Sequence, residues 1–177
     1  MSMIPTPEFS RTHKADAIAR LPAQLQIAAE PEERAALAKR FGLAALDRLE
    51  ADYGLASEDG AIVARGRVRA ALAQPCVATG APVPETIDSD FVLRFVVESG
   101  EAMPEGDELE LDAEDCDTIG YDGHVIDMGE AVAETMALAM EPFPRAPDAD
   151  AYLKEAGVLS EEQASPFAAL LGLKDKK

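Results

Sequence analysis

Three arginines at every second position, Arg65, Arg67 and Arg69, precede a lone cysteine at a turn in RGRVRAALAQPCVATGAPV, residues 65–83. Alternate basic residues on one face of a strand could hold phosphate oxygens or carboxylates. A cysteine thiolate could attack an electrophile or ligate a metal. Nucleophilic work by Cys76 would need a neighbouring base or positive field to lower its pKa. Arg69 lies on the preceding strand, but spacing places no histidine beside the thiol, which favours a small buried cysteine next to a turn. Structural zinc needs about four ligands. Cys76, Cys116, His13 and His124 lack the paired spacing of such a site, and both histidines are expected on the surface or in loops.

The chain has no Gly-rich phosphate loop, no GxSxG elbow and no HExxH. The acidic stretch DCDTIGYDGHVI, from Asp115, has glycine at the sixth position of a calcium loop. Ile119 and Ile126 stand at the fifth and twelfth positions, so the bidentate carboxylate an EF-hand requires is missing. No catalytic residue, cofactor or resident metal is expected.

Charge is the most unusual bulk property. The 177 residues have a formal net charge of −18, distributed unevenly. Residues 1–97 carry 11 Lys/Arg against 13 Asp/Glu, whereas Phe95 to Pro144 contains no Lys or Arg against 15 Asp/Glu. Such a surface repels phosphate backbones and steers basic partners toward it at low salt. The densest acidic face comprises Glu105, Asp107, Glu108, Glu110, Asp112, Glu114 and Asp115. The arginine stripe then has three readings: pairing with the chain's own acidic half, contact with RNA phosphates, or binding of an acidic partner. The charge asymmetry favours the first.

The hydrophobic fraction of 47% with no Trp implies a core of Ala, Leu, Val and Ile. No apolar run approaches the roughly 20 residues of a membrane span. The start, MSMIPTPEFSRTHK, lacks the order of a secretory signal, and two cysteines make no disulfide framework. A cytoplasmic location is expected.

The elements that must position these residues follow from periodicity. PEFSRTH is a candidate strand, KADAIARLP a turn or short helix, and AQLQIAA a half-buried strand. EPEERAALAKRFG predicts a helix, with Pro31 in the first turn, acids leading, Lys39 and Arg40 closing and Gly42 ending it. Leu46 and Leu49 of LDRLEADYGLA suit a helix, but the alternation from Leu49 to Leu55 argues for a strand. The turn SEDG makes it a hairpin with AIVARGRVRAALA, whose Ile62, Ala64, Gly66, Val68, Ala70 and Leu72 form the opposite face to the arginines. DFVLRFVVE predicts another strand, and LEL a short one. In IDMGEAVAETMALAMEP, Asp127 can cap a helix while Glu130 reaches back, and Met128, Val132, Met136 and Met140 line a core face. RAPDADAYLKEAG reads as an exposed linker and SPFAALLGLKDKK as a short helical peptide.

These elements predict an α+β fold: a curved antiparallel sheet, with partial barrel closure as an option, packed by helices near 31–41 and 128–140. The expected organisation is one domain over 1–145, with an acidic excursion near 98–123, then a linker and helical peptide over 146–177.

EFSR, AAEPEERAALAKRFGL, GRVRAALAQPCVATGAPV, DFVLRF, HVIDMGEAVAETMALAMEPFPRAPDA and SPFAALLGLK, in this order, resemble the YceD-like family of large ribosomal RNA subunit accumulation proteins. The proteobacterial branch looks closest. The resemblance implies a non-enzymatic role in ribosome biogenesis. Members are often encoded beside a small basic ribosomal protein, which implies a basic large-subunit protein or assembly factor as partner. One alternative is a direct rRNA-binding protein using Arg65, Arg67, Arg69 and Arg94. Another is an unrecognised metal-dependent hydrolase. Some relatives look as though they carry CxxC at the Cys76 turn and further cysteines after the IDMGE helix, a zinc arrangement. Here Thr79 stands in the second place and PFPRAPDAD has no cysteine.

Overall fold

A computed structural model of the chain describes residues 7–98 and 117–158. Strand β1 (Thr12–Lys14) leads through a 3-10 turn (Ala15–Arg20) to β2 (Leu25–Ala28) and helix α1 (Pro31–Arg40). Three long strands follow, β3 (Ala45–Glu58), β4 (Ala61–Pro75) and β5 (Pro82–Val97). Then come β6 (Thr118–Tyr121), β7 (Val125–Asp127), α2 (Met128–Ala139) and α3 (Ala149–Glu155).

The β3–β4 hairpin forms because Asp59 and Gly60 both adopt positive φ, 47° and 79°, in the two-residue loop that Asp-Gly favours. Glu58 therefore faces Ala61, and each pair as far as Arg48 opposite Ala71 follows. A β-bulge between Leu46 and Arg48 shifts the register by one residue. It explains how Leu46 and Leu49, spaced as in a helix, both face the core of a strand. In the β4–β5 turn, Cys76 N–H donates to Ala81 O at 2.7 Å and Gly80 N–H to Cys76 O at 2.9 Å.

The main sheet has the order β2-β3-β4-β5-β6, and β1 pairs with β7 in a separate two-stranded sheet. The all-antiparallel expectation is corrected at β6, which runs parallel to β5. A parallel neighbour cannot follow by a tight hairpin, and 20 residues separate Val97 from Thr118. Nor does the sheet close into a barrel. Its edge strands β2 and β6 have four residues each and do not pair with one another.

The core lies between the inner sheet face and the helices. Leu49, Val68, Ala70, Leu93 and Phe95 from the sheet are buried with Leu37 of α1 and Met128, Val132 and Met136 of α2. Met140 packs at the edge of this cluster, so the methionine face is core. Gly66 has no side chain, which lets the Tyr53 side chain and the Phe91 ring close over the backbone there.

At the N-terminus of α2, the Asp127 carboxylate accepts from Gly129 N–H at 3.0 Å and Glu130 N–H at 3.3 Å. Glu130 departs from expectation: its carboxylate binds Arg40 at 2.6 and 2.9 Å, tying α2 to the end of α1. The carboxylate that reaches back to a helix start is Glu33, which accepts from Glu30 N–H at 2.7 Å. The expected linker over RAPDADAYLKEAG contains α3, anchored by buried Ala149. The LEL strand and the C-terminal peptide SPFAALLGLKDKK lie outside the described residues.

Candidate functional site

The arginine face is a charge-matched lattice across three strands. Register places Arg67 between Asp52 of β3 and Asp90 of β5, and Arg69 between Glu50 and Asp88. Arg67 Nε donates to Asp88 at 2.5 Å and its Nη1 to Asp90 at 3.1 Å. Arg69 donates to Asp52 at 2.5 Å. Arg65 grips Glu58 with two hydrogen bonds of 2.7 and 2.8 Å. Hydrogen bonds from Arg65 and Arg67 hold the Glu58 and Asp88 carboxyls below their usual range. Arg94, opposite Val63, adds attraction at the Glu58 end.

Five arginines (48, 65, 67, 69, 94) and five carboxylates (50, 52, 58, 88, 90) thus occupy the outer face of β3–β5. Cross-strand pairing of opposite charges supports the sheet and leaves this face near neutral. The carboxylates that meet the stripe come from β3 and β5. The acidic residues Glu105, Asp107, Glu108, Glu110, Asp112, Glu114 and Asp115 lie outside the described residues. These pairs had a readable signal. A two-residue Asp59–Gly60 loop by itself sets Asp52 opposite Arg67 and Glu50 opposite Arg69.

Cys76 is a free, buried thiol. Ala146 N–H donates to its Sγ at 3.3 Å, and Val77 N–H bonds Pro144 O at 2.9 Å. The turn is therefore packed against the segment that follows α2. The Ala146 N–H first, then the Thr79 hydroxyl and the Thr79 and Ala78 amides, lower the thiol to about 7. Thr79 Oγ1 also accepts from Ala81 N–H, and Gly80 adopts φ +73°, so the turn is fixed by its own residues.

The Cys76 turn and the segment after α2, where the resemblance implied a zinc arrangement in relatives, do meet here. Their residues do not fit zinc: Thr79, Arg145 and Ala146 offer no second sulfur or imidazole. Among the described residues, no group of three or more His, Cys, Asp or Glu is placed to hold a metal ion.

His124 is exposed in the β6–β7 turn, as expected. His13 is only partly exposed, and it sits in a strand, β1. Its Nε2 lies 2.7 Å from the hydroxyl of Tyr53. Burial lowers its pKa despite the nearby Asp127, and burial raises Tyr53 to about 12.

Spacing gave no sign of the junction beside this pair. Arg11 Nη1 and Nη2 donate to the two carboxylate oxygens of Glu33 at 2.7 and 2.9 Å, and the guanidinium covers the Phe9 ring. The Arg11 amide donates to Asp127 at 2.7 Å, and the Ser10 hydroxyl binds the other Asp127 oxygen at 2.5 Å. EFSR, PEER and IDMGE, distant in sequence, thus converge on one structural knot. Its acids and bases are consumed by each other, which makes it architecture rather than a reaction centre.

The described residues thus present a charge-matched open sheet face, a capped turn with one sulfur and a saturated ion-pair knot. The family model described as "Large ribosomal RNA subunit accumulation protein YceD" matches residues 64–174, and the chain belongs to this family. The match covers the β4–β5 hairpin, the Cys76 turn and α2, while EFSR and α1 precede it. No curated protein and no solved structure matches the chain. The family description names accumulation of large-subunit rRNA and no enzymatic reaction.

Proposed function

We propose that the protein supports large-subunit rRNA accumulation as a non-enzymatic factor that transiently binds a basic ribosomal protein or assembly factor in the cytoplasm. The observation that carries this reading is charge segregation. The arginines of the sheet face are matched by neighbouring carboxylates, while Phe95 to Pro144 holds 15 Asp/Glu and no Lys or Arg. The net negative charge is therefore left for a partner, and the long-range field accelerates encounter with a basic one. The stretch containing Glu105, Asp107, Glu108, Glu110, Asp112, Glu114 and Asp115 is the proposed partner face. Among the described residues no helix is long and apolar enough to cross a membrane.

Affinity capture at low and high salt tests the reading. A large-subunit ribosomal protein or assembly factor should be retained at low salt and released at high salt. Recovery of neither at low salt counts against it. Recovery of rRNA that survives protease treatment favours direct RNA contact by Arg65, Arg67, Arg69 and Arg94 instead.

A further inference from the structure

A cleft of about 260 Å³ opens between β6, β7 and the first turns of α2. Phe95, Ile119, Ile126 and Ala131 line its apolar floor, and Asp122, Asp127, Glu130 and Glu134 stand around it. No lysine or arginine lines it. The four acids differ in what already occupies them: Asp127 is taken up by the Ser10 hydroxyl, the Arg11 amide and the start of α2. Glu130 is engaged by Arg40. Asp122 accepts two backbone N–H groups, from His124 at 2.8 Å and Val125 at 3.1 Å. Glu134, one turn further along α2, is exposed. Beside the cleft, β6 pairs with β5 alone among the described residues.

We propose that this cleft receives a lysine or arginine side chain from an extended segment of a basic partner protein. The inference rests on the basic-partner reading above and locates a contact for it. A long basic side chain suits the site because its stem is apolar and its head charged. The stem covers Ile119 and Ala131 while the head group reaches Asp122 and Glu134. A narrow cleft of this volume admits a side chain rather than a folded surface. Backbone groups on the second edge of β6 offer hydrogen bonds to a segment running alongside. The chain's own residues 99–116 make a poor occupant, since they hold eight carboxylates and no base.

The test titrates an octa-arginine peptide into the full chain at low salt. The cleft variant is D122N with E134Q, where the introduced asparagine retains an acceptor for the turn. The control is D47N with E32Q, which removes the same charge from exposed sites elsewhere. The cleft variant should bind about tenfold more weakly and the control within about twofold of the parent. Amide shifts on peptide addition should centre on Ile119–Tyr121 and Ala131. Equal weakening in both variants overturns the cleft assignment while leaving the basic-partner reading intact. No peptide binding by the parent overturns both. A gain of about tenfold on deleting residues 159–177, with Lys174, Lys176 and Lys177, would make the chain's own tail the occupant and also overturn the proposal.

Discussion

The Arg11 guanidinium holds both carboxylate oxygens of Glu33, at 2.7 and 2.9 Å, and so clamps the segment before β1 to the first turn of α1. The same guanidinium donates to the carbonyls of Ser10 and Ala28, which leaves few of its donors to water. Breaking this clamp strands a partly buried charge and loosens the N-terminal segment from α1. Arg11→Ala is expected to lower stability by about 2 kcal/mol in denaturant unfolding. A double-mutant cycle with Glu33→Gln should show coupling, and additive losses would contradict the clamp.

The clamp also sets an acid limit. Arg11 first, and the Glu30 amide, hold the Glu33 carboxyl below its usual 4.5. Its folded pKa is depressed, so the stability it adds is present above 4.5 and is lost as pH falls through the folded value. In the Glu33→Gln variant the fall in melting temperature across that acid window should be shallower than in the parent. An unchanged acid slope would remove Glu33 from the account.

Gly129 is required by a backbone crossing. A Cβ there would lie 2.5 Å from Phe9 O and 2.8 Å from Arg11 N, both main-chain atoms that cannot swing away. Gly129→Ala should therefore cost about 3 kcal/mol although alanine is the better helix former. Gly42→Ala supplies a contrast: its φ of +66° strains a side chain, but nothing lies within 4 Å. The smaller loss is expected there, and the reverse order would contradict the crossing.

Cys76 should titrate near 7, because amides and a hydroxyl converge on its sulfur. Thiolate absorbance in a Cys116→Ser background measures this directly. Thr79→Val removes one donor and should move the midpoint upward. A midpoint at 9, the ordinary thiol value, would mean that the turn does not present those donors in solution.

The arginine stripe should not carry RNA affinity. Replacing Arg65, Arg67 and Arg69 by Gln unpairs Glu58, Asp88 and Asp52, so thermal stability should fall while any RNA binding stays unchanged. A lost salt dependence of RNA binding in that variant would return the stripe to nucleic acid.

Strands and helices were legible where periodicity was local. The alternation around Arg65–Arg69, the Asp59–Gly60 loop and the acids and bases bounding α1 led to the right elements. The family resemblance held across the match at residues 64–174. What stayed hidden depends on pairing between distant segments. The parallel entry of β6, the burial of His13 against Tyr53 and the diversion of Glu130 to Arg40 each need two parts of the chain placed together first. Glu130 obeys the capping-box spacing, yet the Arg40 guanidinium, within 2.6 Å, outcompetes its own helix terminus.

The role proposed for this acidic chain is to promote large-subunit rRNA accumulation by binding. Depletion followed by ribosomal subunit profiling, with complementation by the parent chain, tests it most directly. A deficit of large relative to small subunits, restored by the parent chain, is expected. Normal large-subunit levels after depletion would contradict it.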